Sequence, residues 1–175
     1  MTATTVQEVQ QQVLQWIEQV INTDGGETLP IVTTQNGEIP TVADPAAPYI
    51  VLDAYPTRTR LGRAQESAVD ALGNQTLVND YEDTWTLSEV NGHGDRLRSL
   101  VESQDRQDII ERFAVANLAH RGQGSEITET SEQIGGQWRP KHTVAIRIGL
   151  VSVVTYQPGY IETVQYQGTI GGKAI

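Results

Sequence analysis

Apolar residues recur at three- and four-residue steps along the first stretch of the chain: Val6, Val9, Val13, Trp16, Ile17, Val20 and Ile21. That spacing draws a single stripe down an α-helix and predicts a helix laid on a sheet. Thr5-Val6-Gln7-Glu8 has the capping-box form, with Thr5 as N-cap and Glu8 reaching back. Gly25-Gly26 ends the segment. The other faces are rich in Gln (Gln7, Gln10, Gln11, Gln15 and Gln19), which is easier to bury against a neighbouring subunit than Lys or Glu.

The pattern then changes to strands. Leu29 to Thr34 reads as an edge strand with Pro30 at its start, followed by a Pro-containing loop from Gln35 to Pro48. Tyr49-Ile50-Val51-Leu52-Asp53-Ala54-Tyr55 is apolar enough for a central strand, and Pro56 bends or interrupts it. Residues 57–75 carry no helical stripe, and Asp70-Ala71-Leu72-Gly73-Asn74 is turn chemistry. Residues from about 49 to 92 therefore read as one long β-hairpin, with a two-stranded arm at about 57–75. Its return strand, Tyr81 to Val90, sets Trp85 and Leu87 on one face and Thr84, Thr86 and Ser88 on the other, the pattern of a half-exposed strand.

Gly92-His93-Gly94 closes the hairpin, and Asp95 is placed to N-cap the next helix. Leu97, Leu100 and Val101 open that helix, the stripe lapses from Glu102 to Asp108, and it resumes at Ile109, Ile110, Phe113 and Leu118. Two helices, or one bent helix, are expected across about 96–119, ended by Gly122 and Gly124. Glu126 to Thr130 reads as a short strand. Val144, Ile146, Ile148, Leu150 and Val154 share one face of the strongest strand. Ala145, Gly149, Val151 and Val153 make its other face mostly apolar too, which predicts a strand covered on both sides. Pro158-Gly159 turns it back into Tyr160 to Tyr166. The order predicts one α+β domain over 1–175: an antiparallel or mixed β-sheet packed by an N-terminal helix and one or two central helices, with a long hairpin arm.

Composition narrows the function classes. With one Phe, one Met and 38% hydrophobic residues, the core must come mostly from Val, Ile, Leu and Ala. The 175 residues hold no Cys, which excludes disulfides, thiolate metal sites and a cysteine nucleophile. No apolar run reaches membrane-span length, and the first residues lack the basic and apolar stretches of a signal peptide, so synthesis in a reducing cytoplasm is expected. The net charge is -10. Residues 1–100 carry 14 acids and 5 bases, residues 101–175 carry 8 and 7. A chain this acidic does not grip nucleic acid by neutralising phosphates; the acidity serves solubility and weak self-association of the monomer, or forms an acidic wall that repels DNA and lets it slide past.

Candidate chemistry is sparse. His93, His120 and His142 are far apart in sequence, and none sits in an HExxH pattern, so surface histidines are expected. Gly92-His93-Gly94 lacks the Lys and Ser/Thr of a phosphate loop. Asp80, Glu82 and Asp83 lack calcium-loop spacing and read as a solvated edge. No catalytic, cofactor or metal residue is assigned.

The order of segments carries a resemblance. The N-terminal helix comes first. Gln35-Asn36-Gly37-Glu38-Ile39-Pro40 precedes Pro48-Tyr49-Ile50-Val51-Leu52, Asn91-Gly92-His93-Gly94 leads into a helix, and Gly136-Gln137-Trp138-Arg139-Pro140 leads into the strong strand before Gly159-Tyr160-Ile161-Glu162-Thr163-Val164. From the first helix to about Val164, this resembles the neck or tail terminator proteins of tailed bacteriophages. The resemblance implies a structural, non-enzymatic virion protein, a ring usually of six copies. It would cap the tail tube (and sheath, if contractile), join it to the head–tail connector and let DNA pass without specific binding. It implies no cofactor and no membrane. Glu126, Glu129 and Glu132 are candidate channel-facing acids. Arg58, Arg60 and Arg63 on the arm are candidate subunit-interface residues, suited to carboxylates by the guanidinium fork. The rival classes are a small acidic hydrolase using a carboxylate pair and a generic adaptor that binds through its hairpin.

Overall fold

The structure is a computed structural model that describes residues 5–26, 28–35, 37–134, 136–157, 169–170 and 173–174. Helix α1 (Val6–Ile17) starts as its sequence predicts: Glu8 N donates to Thr5 Oγ1 at 3.2 Å, and Thr5 N donates to Glu8 Oε2 at 2.7 Å. The helix widens into a π turn over Glu18–Asp24 and stops at Gly25, whose amide donates to Val20 O at 3.1 Å. A Cβ on Gly25 would lie 2.4 Å from Ile21 O, so a residue without one is needed where the chain leaves the helix.

Seven strands form one mixed sheet: β1 (Ile31–Thr33), β2 (Tyr49–Leu52), β3 (Thr57–Glu66), β4 (Gln75–Val90), β5 (Leu118–Gln123), β6 (Thr128–Ile134) and β7 (Gln137–Tyr156). A further pair, β8 (Thr169–Ile170) and β9 (Lys173–Ala174), stands outside that sheet. β4 and β7 are the antiparallel spine, in register from Gln75↔Tyr156 to Val90↔Lys141. β3 and β2 lie in succession along the free flank of β4, and β5 and β6 along that of β7. β1 adds parallel to β2 as an edge.

Helices α2 (Asp95–Ser103) and α3 (Gln107–Val115) pack with α1 on one face of the sheet. The core joins Val9, Val13, Trp16 and Ile17 to Leu97, Leu100, Ile109 and Phe113, and these to Ile50, Leu52, Trp85, Leu87, Val144, Ile146 and Ile148. Trp16 Nε1 donates to Ser103 Oγ at 2.9 Å, a buried bond that ties α1 to α2. On the opposite face a smaller cluster of Val42, Tyr49, Val51 and Val90 closes under the 37–48 loop.

Several expectations need correction. Asp95 is the first helical residue rather than the cap; Gly94 caps α2 with φ +79, and no side chain bonds there. The central helical region is two helices, but it ends at Val115. Asn117 turns the chain at φ +57, and Leu118 opens β5 instead of closing a helix. Gly122, at φ +88, makes a bulge in β5. The short strand at 126–130 forms instead at Thr128–Ile134. Of the strand Tyr81 to Val90, Thr84 and Thr86 are half-buried as expected, but the end toward Val90 is not half exposed. The helices cover one face and the 37–48 loop the other, so Ser88 and Val90 are buried too. β7 is covered on one side only: Val151 on its second face is exposed, and so is Val154, beyond the reach of the helices. The expected return strand at Tyr160–Tyr166 lies outside the described residues.

Candidate assembly interface

A twenty-residue strand extends about 65 Å, whereas a twelve-residue helix spans about 18 Å. The helices therefore cover the middle of β7 and the last part of β4, which is buried through to Val90, and the sheet overhangs them at both ends of β7. At one end the overhang is the arm. It was expected to be two-stranded, and such a pair is marginal in water. It has three strands instead, because β7 stays paired with β4 as far as Tyr156. The arm is therefore a built surface.

The three arginines of the arm do not behave alike. Arg58 faces its cross-strand partner Asp83 and makes a two-pronged bond, Nε to Oδ1 and Nη2 to Oδ2, both at 2.7 Å. Its guanidinium also lies 5.8 Å over the Tyr81 ring. The Asp83 hydrogen bond holds the Arg58 pKa above its usual value against partial desolvation. Asp83 is fully buried, so it is not on a solvated edge, and Arg58 is committed within its own chain. Arg60 and Arg63 are exposed and form no ion pair with any described residue. Arg60 lies opposite Tyr81, and Arg63 sits in the irregularity between Leu61 and Gln65 that Gly62 opens at φ +72. Leu77, Val154 and Tyr156 share the face of Tyr81: Leu77 is half-buried, while Val154 (45% exposed) and Tyr156 have no helix over them.

At the other end the β6–β7 hairpin projects past Val90. Glu129 and Glu132 are an odd number of residues apart in β6, so they point to opposite faces. Glu132 is bonded to Lys141, while Glu129 comes 3.7 Å from His142 Nε2. Glu126 lies in the turn before β6 and is exposed. The three acids therefore do not share a face. Trp138 shares the face of Glu129 and is 72% exposed. In the sequence this Trp reads as a lead-in to the strong strand. The signal for its position is Gly136, a turn residue that lets β7 start at Gln137, seven residues before the first buried position, Val144.

The remaining titratable groups are structural in placement. Gly92 and Gly94 are small because of their neighbours: a Cβ on Gly92 would lie 1.8 Å from the Glu89 carboxylate, and one on Gly94 would lie 2.8 Å from the His142 ring. Glu89 is buried and accepts from Arg96 Nη1 at 2.7 Å. His120 is not a surface residue. Its ring centroid is 4.0 Å from that of Phe113 and 4.8 Å from that of Trp16, and desolvation pushes its pKa down to about 4, against a weaker opposing pull from Asp105. Only His93 is exposed, as expected. Among the described residues no group of three His, Asp or Glu gathers as a metal site, and no helix is long and apolar enough to cross a membrane. An open groove of about 670 Å³ runs beside α1, floored by Leu14 and Ile31 and edged by Glu18, Asp24 and Arg112. No family model matches the chain, and no curated protein matches it either.

Proposed function

We propose that the chain is a structural virion protein of a tailed phage, a ring that terminates the tail tube and joins it to the head–tail connector. The observation that carries this reading is the sheet overhanging its helices at both ends. Each end presents apolar and charged side chains that no described part of the same chain covers. A surface with two separated, unlike sticky ends suits repetition around an axis better than it suits a monomer. The order of segments in the sequence resembles that of terminator proteins. A net charge of -10 per copy makes the ring repel duplex DNA, which suits a conduit that DNA crosses without being held. In this reading the protein is made in the host cytoplasm and ends in the virion neck. Its partners are further copies of itself, the tail tube (with the sheath where the tail contracts) and the connector.

Sedimentation velocity tests it. Six copies of 19.2 kDa give a species of about 115 kDa. A concentration-dependent boundary at that mass supports the ring; a monomer throughout the accessible range contradicts it.

A further inference from the structure

We infer that the two overhanging ends fit one another in successive copies: the β6–β7 hairpin of one copy seats on the three-stranded arm of the next. Trp138 lies on Leu77, Val154 and Tyr156, and Glu129, flanked by Glu126, faces Arg60, flanked by Arg63. The inference rests on the ring reading and names its interface.

Internal pairing leaves few charges available. On the arm, Asp83 neutralises Arg58, and Asp80 and Glu82 point to the opposite face of β4 from Tyr81 and its partner Arg60. The core-side face of the arm carries Arg60 opposite Tyr81 and, four positions along β4, the exposed Glu66 opposite Leu77, beside the exposed Val154 and Tyr156. On the hairpin, Lys141 neutralises Glu132 on one face, and the core-side face carries Glu129, 3.7 Å from His142 Nε2, four positions along β6 from the Gln133 that pairs with Trp138. One end thus sets a base, Arg60, four β4 positions from Leu77, and the other sets an acid, Glu129, four β6 positions from the pair that holds the exposed Trp138, so the two spacings match. Trp and Arg are the side chains that most often anchor interfaces.

The two ends sit at opposite termini of β7, about 60 Å apart along the strand, so a copy cannot satisfy itself. A contact of unlike patches is heterologous, and it repeats into a closed ring or an open helix. This assignment moves Glu126 and Glu129 from the channel wall to the subunit boundary. The acids that repel DNA then lie elsewhere on the chain.

Charge swapping tests the pairing. One variant carries Arg60→Glu with Arg63→Glu, the other Glu126→Arg with Glu129→Arg. All four positions are exposed, so circular dichroism melts should match the parent. Alone, each variant should assemble about tenfold more weakly than the parent. Mixed in equal amounts, they should regain the parent's assembly, because the acidic arm of one meets the basic hairpin of the other in alternating order. Trp138→Ala should weaken assembly without changing its salt dependence. Variants that each assemble like the parent, or a mixture that stays apart, would overturn the interface, the second outcome pointing to a different partner for these ends. A parent that never assembles contradicts the ring reading as well, whereas rings indifferent to the charge swaps contradict this interface alone.

Discussion

At the level of single residues, two buried groups set measurable properties of the fold. His120 is wedged between Phe113 and Trp16, and its pKa falls to about 4 from an ordinary value near 6.5. Between those values the unfolded chain binds more protons than the folded one. The stability is therefore fully present above about pH 6.5 and is lost as pH falls through about 4. The gap corresponds to at most about 3 kcal/mol, of which the part above pH 4.5 is about 2–3 kcal/mol. Urea unfolding of the parent should show that loss between pH 7 and pH 4.5, and His120→Phe should flatten it; an equal slope in both proteins would show that His120 is not its source. The second group is Asp83. Arg58→Ala strands a buried carboxylate and should cost about 2–3 kcal/mol, less than the full price of a buried pair because Arg58 is partly exposed. Arg60→Ala and Arg63→Ala should each stay within about 0.5 kcal/mol of the parent. Denaturant midpoints of the three single mutants check this, and equal effects would show that the three arginines are equivalent after all.

Among the elements, the arm and the opposite hairpin differ from the middle of the sheet in what covers them. The strand residues of Val144–Leu150 lie under three helices, while those beyond Val151 have a helix on neither side. In the dissociated protein, amide hydrogens of 75–80 and 152–156 should exchange faster than those of 85–89 and 144–149, and assembly should slow the first set. Uniform exchange, or arm amides unchanged on assembly, would show that the arm is not an interface. The helical stripe and capping box of α1, the hairpin through Asp70–Asn74 and the two central helices were all legible in the sequence, because each follows from local periodicity or turn chemistry. β5 was not, because Leu118 continues the apolar spacing of α3 and only the left-handed Asn117 breaks it. The burial of His120 and Asp83 was equally hidden, since both depend on partners far away in sequence: Trp16 for one and Arg58 for the other. The arginine cluster was visible as a cluster, but its division into one internal and two external members required the register of β3 on β4.

For the whole molecule, an acidic chain with a long sheet and a short helical layer is a poor container and a good building unit. Its core lies over Trp85 and Leu87 of β4 and Val144 to Leu150 of β7, and Trp138 at one end and Val154 and Tyr156 at the other stand exposed. Salt should act on this assembly, because exposed ion pairs are screened over about 8–10 Å at physiological ionic strength. Raising salt from about 0.1 to 1 M should weaken the parent and leave the Arg60→Glu, Arg63→Glu variant, already weakened, little changed; equal salt responses would remove the electrostatic part of the interface. In the proposed reading copies of this chain close into a ring around a channel that duplex DNA can cross. Electron microscopy of the purified protein decides it. The expected result is closed rings of six copies, with an open centre and the hairpin of each subunit against the arm of the next; particles that are monomers, symmetric dimers or rings without a channel would contradict it.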